Sequence, residues 1–486
     1  MKKEINLKEL KNSDYENKTI KQEIQFNLIA RIKAKIPLFE GLFGYEDTVV
    51  PQLTKAIIAG HHINLLGLRG QAKTKIARSM IDLLDEYMPI VKGSEINDSP
   101  FKPISKYARD LISEMGDETP ISWVHRSERF FEKLATPDVN VSDLIGDIDP
   151  IKAATLKLPY SDERVLHYGM IPRANRSIFV LNELPDLQAR IQVSLFNILQ
   201  EGDIQIRGFQ LRMPLDIQFV FTANPEDYTN RGSIVTPLKD RIGSQIFTHY
   251  PKSIELAREI TQQEAKISKE DKANILVPNL AKDLLEEVAF TARKSEYVDA
   301  KSGVSARLTI SAMENLMAAA KLRLIETDSK KTSIRLVDFM SIIPSITGKI
   351  ELVYEGEQEG ANEVAKLLID SAVLVQFESI FPRISKLERE GVKTPYTDLI
   401  HWFDNNFIEL NYTDTDDEFF TSLKSIKPLT SLIEDYAGKL NSQDQAFCME
   451  LVLWGLTINK KLDKSEKNTT YKFDSAGISQ YFNGTN

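Results

Sequence analysis

A loop-forming stretch, residues 67–74, constrains the fold of this chain more than any other. Its sequence is Gly-Leu-Arg-Gly-Gln-Ala-Lys-Thr, and it lies between a short apolar run and a helical pattern. The order of strand, loop and helix matches the phosphate-binding template G-x-x-x-x-G-K-[ST], with Ala72 in place of the second glycine. The alternative for this segment alone is an ordinary turn between a strand and a helix, with Lys73 and Thr74 on the surface.

The spacing of this template follows from the chemistry of phosphate groups. A tight loop turns its backbone N–H groups towards phosphate oxygens, and the following helix adds its positive N-terminal end. Lys73 is then expected to reach the β- and γ-phosphates, and the Thr74 hydroxyl to ligate Mg²⁺. Because a left-handed backbone is costly for a residue with a Cβ atom, we expect Ala72 to be right-handed. A dinucleotide-binding loop is a poor fit, since G-x-G-x-x-G is missing here.

The composition excludes several classes of protein. Hydrophobic residues make up 42% of the 486 residues and charged residues 27%, which allows a sizeable core in about three domains. The net charge of −9 argues against a surface that coats nucleic acid. A single cysteine, Cys448, excludes a disulfide framework and a cysteine-rich zinc site. With no signal peptide and no apolar run long enough to cross a membrane, we expect a cytoplasmic protein without membrane contact.

Two apolar runs predict further strands of a parallel sheet that is buried on both faces. The first covers residues 178–181 and the second residues 217–222. Ligands of open α/β sheets bind at the carboxyl ends of the strands. The polar residues that follow these runs, Asn182, Glu183 and Asn224, are therefore candidate site residues.

The rest of the chain suggests four segments. Residues 1–40 have a weak helical period and are expected to form an N-terminal helical segment. Residues 41–250 carry the α/β pattern, with a projecting insertion at 147–168 and an alternating hairpin at 204–213. Residues 251–354 and 361–486 read as helical, separated by the acidic, glycine-containing stretch 355–360, which we interpret as a domain boundary. The last twenty residues are polar and are expected to be partly disordered.

Taken together, these stretches resemble a AAA+ ATPase of the branch that contains MoxR and the magnesium-chelatase I subunit. The resemblance covers residues 42 to about 350. It rests on five motifs in order, which are residues 67–74 as Walker A, 178–183 as Walker B, 222–225 as sensor 1, 238–241 as the arginine-finger segment and 305–307 as sensor 2. It implies an α/β P-loop core with a parallel sheet and flanking helices, a helical lid and, here, an additional α-helical C-terminal domain. The insertion and the hairpin resemble the helix-2 and pre-sensor-1 insertions of that branch.

The resemblance implies ATP and Mg²⁺ as the ligands of the site. The residues expected at the nucleotide are Tyr45, Gly67, Gly70, Gln71, Ala72, Lys73, Thr74 and Ile76. Thr74 and Asn182 are expected at the metal. Because Asn182 stands where the family has an aspartate and carries no charge, weaker retention of Mg²⁺ is expected. For Tyr45, a place in the core is as compatible with the sequence as a place near the adenine.

The resemblance also implies catalytic roles. Glu183 is expected to orient and polarise the attacking water, and Asn224 to hydrogen-bond the γ-phosphate or that water. Arg307, at a helix start in the lid, is expected to contact the γ-phosphate of its own chain. The alternatives are a capping acid for Glu183, an Asn-Pro turn for Asn224 and a solvated helix residue for Arg307.

An arginine finger supplied in trans is implied at Arg241, where it would stabilise charge on the γ-phosphoryl group of a neighbour's nucleotide. The alternative is a surface ion pair with Asp240. Arg231 is a second candidate for the finger, and Arg129 receives no role. A finger in trans requires a homo-oligomer, and a closed hexameric ring with heterologous interfaces is implied.

Two functional hypotheses remain open. The first is an ATP-hydrolysing ring that remodels or activates a separate protein partner, such as a von Willebrand factor A-domain protein. The second is a nucleotide-dependent assembly scaffold with little hydrolysis, suggested by Asn182 and Ala72. A transcriptional activator ATPase is a weaker third reading, since the Gly-Ala-Phe-Thr-Gly-Ala loop of that branch is missing from the sequence.

Overall fold

The computed structural model describes residues 3–160, 162–201, 203–205, 212–225, 233–390, 394–467 and 470–476. The chain divides into two compact units, Met1–His249 (unit 1) and Tyr250–Asn486 (unit 2). This division falls where the α/β pattern of the sequence ends. The predicted hairpin turn around Gly208 and the second finger candidate Arg231 lie outside the described residues.

Unit 1 is built on a parallel sheet. Its described strands are β1 (Ile5–Asn6), β2 (Ile63–Leu66), β3 (Tyr87–Val91), β4 (Pro120–His125), β5 (Phe130–Leu134), β6 (Gly146–Ile148), β7 (Leu166–Tyr168), β8 (Ser177–Asn182), β9 (Asp203–Gln205), β10 (Arg212–Pro214), β11 (Ile217–Ala223) and β12 (Ser244–Phe247). Among the described residues, five of these strands pair in parallel in the order β12-β2-β11-β8-β5. The predicted parallel sheet is confirmed, and its central strands are buried because helices cover both faces.

Helices pack on both faces of this sheet. The described α-helices of unit 1 are α1 (Leu7–Lys11), α2 (Ile20–Lys33), α3 (Val49–Ile58), α4 (Lys73–Ser79), α5 (Lys106–Met115), α6 (Val141–Leu144), α7 (Pro150–Leu156), α8 (Met170–Arg173), α9 (Ala189–Glu201) and α10 (Thr236–Arg241). Successive residues of a strand point to opposite faces. Thus Ile178 and Val180 of β8 join a core with α2, α3 and α4, whereas Phe179 and Leu181 join a second core with α9.

The N-terminal segment is held to the sheet by a buried ion pair. Ile24 and Leu28 of α2 lie in the same core as α3 and β2, as expected for a helix that packs on the next domain. Arg129, to which the sequence assigned no role, is fully buried, and its guanidinium donates to both carboxylate oxygens of Glu23 at 2.7 and 2.6 Å. It also donates to the Arg176 carbonyl oxygen. Arg129 therefore joins α2 to the start of β5 and β8.

Both predicted insertions have regular structure in their described parts. The short helices α6 and α8 flank an antiparallel pair of strands, β6 and β7, with α7 between them. The segment 147–168, predicted as a projecting insertion, thus contains β7, α7 and most of β6. In the hairpin, β9 pairs with β10 in antiparallel register, with Ile204 opposite Met213.

Unit 2 is mainly helical. Its described helices are α11 (Ile254–Glu264), α12 (Lys269–Asn274), α13 (Asn279–Ala292), α14 (Arg307–Thr327), α15 (Ile343–Thr347), α16 (Tyr354–Glu359), α17 (Ala361–Ile380), α18 (Ile384–Glu390), α19 (Thr397–Phe403), α20 (Asp416–Lys424), α21 (Lys427–Tyr436) and α22 (Ser442–Ile458). The described strands are β13 (Ile275–Leu276), β14 (Thr332–Ser333), β15 (Ile408–Asn411), β16 (Leu462–Lys467) and β17 (Thr470–Ser475). The lid helix α14 begins at Arg307, close to the predicted start, and the Arg307 backbone N–H donates to Ser305 Oγ.

Two features of unit 2 differ from the sequence-based expectation. The C-terminal part is not wholly helical, because β15, β17 and β16 form an antiparallel sheet within the described residues. The acidic stretch predicted as a boundary, 355–360, is not a linker, because α16 occupies most of it and α17 follows at Ala361. One hydrophobic core includes residues on both sides of this stretch, from Ala265 to Phe473.

A network of buried charges joins these parts of unit 2. Arg323 of α14 donates to both carboxylate oxygens of Asp338 at 2.7 and 3.0 Å, and both side chains are almost fully buried. Arg335 donates to the Asp414 carbonyl oxygen and to the Asp416 carboxylate. The lid and the C-terminal residues are therefore joined by polar contacts as well as by a shared core.

Candidate nucleotide-binding site

Three neighbouring parallel strands bring the predicted motifs to one edge of the sheet. The loop at 67–74 follows β2, Asn224 follows β11, and Asn182 and Glu183 end β8. Since β11 lies between β2 and β8, and all three run in the same direction, their carboxyl ends are adjacent. The sheet topology thus places the Walker A, Walker B and sensor 1 segments together, as ligand sites of open α/β sheets require.

The backbone of the loop corrects one expectation. Ala72 has φ 54° and ψ 17°, which is left-handed, whereas the sequence analysis expected a right-handed residue. Gly70 also has a positive φ, of 73°. The chain must reverse immediately before α4, and this turn determines the conformation despite a cost of roughly 1–2 kcal/mol for a residue with a Cβ atom. Among residues that have a Cβ atom, alanine has the smallest side chain, so it adds no bulk beyond the Cβ atom at this turn.

Gly67 is required for space rather than for its dihedral angles. A Cβ atom at this position would lie 1.9 Å from Thr248 Oγ1 and 2.2 Å from Gln71 Oε1. The two blocking side chains are themselves joined, because the Thr248 hydroxyl donates to Gln71 Oε1 at 2.8 Å. Gln71 is buried, so its side chain supports the loop from the protein side.

Lys73 and the sensor 1 residue Asn224 are in direct contact. The Lys73 ammonium group donates to Asn224 Oδ1 at 2.6 Å and to the Leu68 carbonyl oxygen at 3.0 Å, and it also contacts the Gly67 carbonyl oxygen. Thr74 is the second residue of α4 and is partly exposed. Lys73 and Asn224, which the sequence analysis selected from separate motifs, are therefore in contact, and Thr74 follows Lys73 at the start of α4.

The end of β8 is tied to β11 through one hydroxyl. Thr222 Oγ1 donates to Asn182 Oδ1 at 3.0 Å and accepts the backbone N–H of Glu183 at 3.1 Å. Glu183 is left-handed, with φ 56° and ψ 48°, and is partly exposed. Strained backbone of this kind in a residue other than glycine or asparagine clusters at functional sites. Glu183 has the only carboxylate of the Walker B segment, and its backbone no longer follows the extended conformation of β8.

A second carboxylate, which the sequence analysis missed, lies beside Asn182. Glu132 of the adjacent strand β5 accepts from Asn182 Nδ2 through Oε1 at 2.6 Å. Its other oxygen accepts from the Arg78 guanidinium of α4 at 3.0 and 2.7 Å. The available signal was a lone acid inside an aromatic strand, Phe-Phe-Glu-Lys-Leu, but its meaning depends on β5 lying next to β8.

Tyr45 and Ile76 are packed into the protein. The Tyr45 side chain is buried, and its hydroxyl lies 2.9 Å from the carbonyl oxygens of both Gln71 and His249. It therefore supports the loop from the core, which is the alternative that the sequence analysis left open. Ile76 is fully buried in the core formed with α2 and α3, so its side chain has a packing role.

The two predicted arginines have different surroundings. The Arg241 guanidinium stacks on the Phe196 ring at 3.9 Å and donates to Gln200 Oε1 and to the Pro237 carbonyl oxygen. Its distance to Asp240 is 3.7 Å, so the predicted surface ion pair is a minor contact. In unit 2, Arg307 is exposed at the first residue of α14.

The donor set suits a hard cation such as Mg²⁺. The Thr74 hydroxyl and the Glu132 and Glu183 carboxylates offer oxygen atoms, and Mg²⁺ binds through one or two carboxylates together with phosphates and water. No group of three or more His, Cys, Asp or Glu side chains that could enclose a metal occurs in the described part of the chain. A metal in this site would therefore depend on phosphate oxygens and water.

Among the residues that the structure describes, none of the helices has the length and apolarity needed to cross a membrane.

Comparisons with known proteins found a family model, curated relatives and solved structures that are similar to this chain. Residues 159–242, which include the Walker B and sensor 1 segments, match the family model of the Sigma-54 interaction domain. The chain is 24% identical over 253 residues to the chloroplastic magnesium-chelatase subunit ChlI of Nicotiana tabacum, covering 51% of this chain and 55% of that protein. It is 24% identical over 237 residues to the magnesium-chelatase 38 kDa subunit of Cereibacter sphaeroides, covering 47% and 63%.

A solved structure of the magnesium-chelatase subunits BchI and BchD in complex is also similar, with 18% identity and a TM-score of 0.35 over 66% of this chain and 98% of that one. The chain spans less than two thirds of the curated relatives quoted above. The fold class is that of an AAA+ P-loop core followed by a helical unit. The sequence matches support an AAA+ ATPase related to magnesium-chelatase subunit I.

Proposed function

We propose that this protein binds ATP with Mg²⁺ and hydrolyses it as a subunit of a closed ring, and that hydrolysis remodels or activates a separate protein partner. The observation that carries the proposal is the joint position of Lys73, Asn224 and Glu183. Lys73 contacts Asn224 directly, and the Glu183 backbone is tied to the same strand through Thr222. These contacts support a triphosphate seated on the loop at 67–74 with its terminal phosphate facing these groups.

Each side chain then has a task. Lys73 exchanges its contacts with loop carbonyl oxygens for phosphate oxygens, and Thr74 contributes its hydroxyl to the metal. Glu183 accepts a proton from, or orients, the attacking water, and Asn224 holds that water or the γ-phosphate. Bound Mg²⁺ supplies charge neutralisation between the β- and γ-phosphates. Arg241 serves the nucleotide of a neighbouring subunit.

The substitution Glu183→Gln tests this assignment. We expect ATP turnover to fall by about 10²–10⁴-fold while ATP binding is retained, because the side chain keeps its shape but loses its basic oxygen. Glu163→Gln, in the insertion, is the control, because it makes the same chemical change at a carboxylate that pairs with Arg109 outside the site. Turnover that survives in Glu183→Gln, or a native protein that binds no ATP, would contradict the proposal.

The ring can be tested by mixing two inactive variants. Arg241→Ala leaves the subunit's own Glu183 intact, and Glu183→Gln leaves its Arg241 intact. If Arg241 acts on a neighbour's nucleotide, mixed rings contain some complete sites and turnover returns, up to roughly a quarter of the native rate for random mixing and one finger for each site. Turnover that stays absent after mixing would place Arg241 in its own subunit's site or outside catalysis.

The partner proposal is supported by the relatives alone. Two of them are named subunits of magnesium chelatase, and the solved complex contains BchI together with BchD. We propose a separate partner of comparable kind for this chain, such as a protein with a von Willebrand factor A domain. ATP turnover that rises when a co-purified partner is added back is the expected result.

A nucleotide-dependent scaffold with little hydrolysis is the second candidate. Asn182 favours it, because an amide stands at the end of β8 and its Oδ1 already accepts from Thr222. A large rise in turnover in Asn182→Asp would favour the scaffold, and little change would favour a competent enzyme. The family match to the Sigma-54 interaction domain does not raise the transcriptional activator above these two, because the Gly-Ala-Phe-Thr-Gly-Ala loop is missing from the sequence.

A further inference from the structure

Position 182, the last residue of β8, carries no negative charge, but the neighbouring strand β5 provides one in Glu132. Glu132 and Asn182 lie on paired strands, with Leu134 opposite Asn182 and Glu132 opposite Val180. Alternate residues of a strand share a face, so Glu132 and Leu134 are on one face of β5, and Val180 and Asn182 are on the same face of β8. This register lets the Glu132 carboxylate reach diagonally to the Asn182 amide, at 2.6 Å.

Electrostatics determines which Asn182 atom faces the carboxylate. Two oxygen atoms 2.6 Å apart without a proton between them would repel, so the atom beside Glu132 Oε1 is the amide nitrogen. The amide oxygen then faces Thr222, whose hydroxyl donates to it. In this orientation Asn182 offers its donor to Glu132, and of these two side chains only Glu132 carries a formal charge.

The same carboxylate also faces the helix that carries Thr74. Glu132 Oε2 accepts two hydrogen bonds from Arg78. Arg78 lies four residues after Thr74 in α4, and residues at this spacing occupy one face of a helix, about one turn apart. The Glu132 carboxylate therefore lies between the end of β8 and the face of α4 that presents the Thr74 hydroxyl.

We propose that Glu132 supplies the charge that attracts Mg²⁺ to the nucleotide, in place of a carboxylate at position 182, and that Asn182 is a positioning residue for Glu132. This inference rests on the proposed nucleotide site. Mg²⁺ keeps several water ligands when it is bound with nucleotide, and a carboxylate one helical turn from Thr74 can accept from those waters or replace one. Groups that hold such ligands in place typically change metal affinity by about 10–100-fold.

The test measures metal dependence of binding rather than turnover. A fluorescent ATP analogue is titrated in excess EDTA and in millimolar Mg²⁺. The dissociation constant in EDTA divided by that in Mg²⁺ gives the contribution of the metal to binding. In Glu132→Gln we expect this ratio to fall by about tenfold or more, with little change in EDTA, because the variant keeps an acceptor for Asn182 and loses only charge. A purely structural ion pair would change both dissociation constants by the same factor.

Moving the carboxylate back to β8 sharpens the test. The double variant Glu132→Gln with Asn182→Asp is expected to recover most of the metal dependence, since one carboxylate is again present. Glu163→Gln is expected to retain the native ratio and the native unfolding temperature. An unchanged ratio in Glu132→Gln, or no recovery in the double variant, would overturn the inference.

The outcome can be separated from failure of the proposed function. If the native protein binds no ATP analogue at all, the nucleotide site itself is wrong. If it binds, and Glu183→Gln abolishes turnover while Glu132→Gln keeps the native ratio, only the role of Glu132 is wrong. Should Glu132→Gln fail to fold, Glu132→Asp keeps the charge but withdraws it by one methylene. A reduced ratio then supports the inference, and a native ratio overturns it.

Discussion

The two units of this protein place their charged groups differently. In unit 1, Lys73 at the start of α4, Glu132 within β5 and Glu183 after β8 are partly exposed, so they can meet a ligand. In unit 2, the charged side chains of Arg323 and Asp338 lie in the interior and bond to each other. In unit 1 the charged groups can therefore contact a ligand, whereas in unit 2 they join a helix to the segment that follows it.

Unit 1 also has a buried ion pair, so the two units can be compared by the free energy of unfolding that is lost when such a pair is broken. Arg129 and Glu23 bond through two hydrogen bonds, as do Arg323 and Asp338 in unit 2. Each pair joins an outlying segment to its unit. Breaking a buried pair by removing one partner is far more costly than its net contribution suggests, because the remaining charge stays buried.

The largest expected effect comes from removing these two arginines. Arg129→Met and Arg323→Met should each lower the free energy of unfolding by about 3–5 kcal/mol. Hydrogen exchange resolved by segment should show the loss around α2, β5 and β8 in the first variant and around α14 in the second. Lys152→Met is the control, because its pair with Glu95 is exposed and surface pairs are worth about 0–1 kcal/mol. A loss below about 1 kcal/mol in either arginine variant would contradict this account.

The second prediction concerns pH, to which the units should respond in opposite directions. In unit 1, burial together with Lys21 and His61 lowers the pKa of His62 to about 3. A folded-state pKa below the unfolded value of 6.5 means that stability is lost as the pH falls through that range. We expect unit 1 to lose about 2 kcal/mol between pH 7 and pH 5 through this group, and His62→Gln to remove that loss.

In unit 2 the sign is reversed. Burial raises the pKa of both Glu286 and Glu450 to about 7, above the ordinary value of 4.5. Their contribution is therefore complete below about pH 4.5 and is lost as the pH rises through 7. Each should cost about 2 kcal/mol between pH 5 and pH 8, and Glu286→Gln or Glu450→Gln should flatten the profile. Urea unfolding followed by hydrogen exchange at pH 5, 7 and 8 separates the units, and parallel profiles would refute the comparison.

The sequence predicted the site in unit 1 because local patterns determined it. The apolar runs identified β2, β8 and β11, and parallel strands place the residues that follow them at one edge, which brought Lys73, Glu183 and Asn224 together. Glu132 could not be predicted in this way, since no local pattern in the sequence indicates that β5 lies next to β8. Ala72 was predicted wrongly because the cost of a left-handed alanine is small beside the turn that the loop requires.

Unit 2 was harder to predict because its structure depends on distant pairing. The strand β15 pairs with β17 about sixty residues later, and its alternation of Ile408 and Leu410 is too short to predict a strand by itself. The stretch 355–360 is acidic and contains glycine, yet α16 occupies most of it, and one hydrophobic core includes residues before and after it. Burial of Arg129 and Arg323 likewise follows from tertiary packing, since the sequence shows only charge.

The smallest expected effect tests the left-handed residues of the two units. Ala72 ends the phosphate loop with φ 54°, and Asp328 ends α14 with φ 48°. Glycine adopts this region without the Cβ penalty, so Ala72→Gly should stabilise unit 1 by about 1 kcal/mol or slightly less. Aspartate already tolerates the region better than alanine, so Asp328→Gly should change unit 2 by only a few tenths of a kcal/mol.

The comparison between these variants is informative because alanine and aspartate differ in what else they contribute. Ala72 is partly buried against the core of α2 and α3, so its methyl group offsets some of the backbone cost. Urea unfolding of both variants measures the balance. A destabilised Ala72→Gly would mean that this packing outweighs the strain, and that alanine stands in the loop for its contact with the core rather than in spite of its backbone conformation.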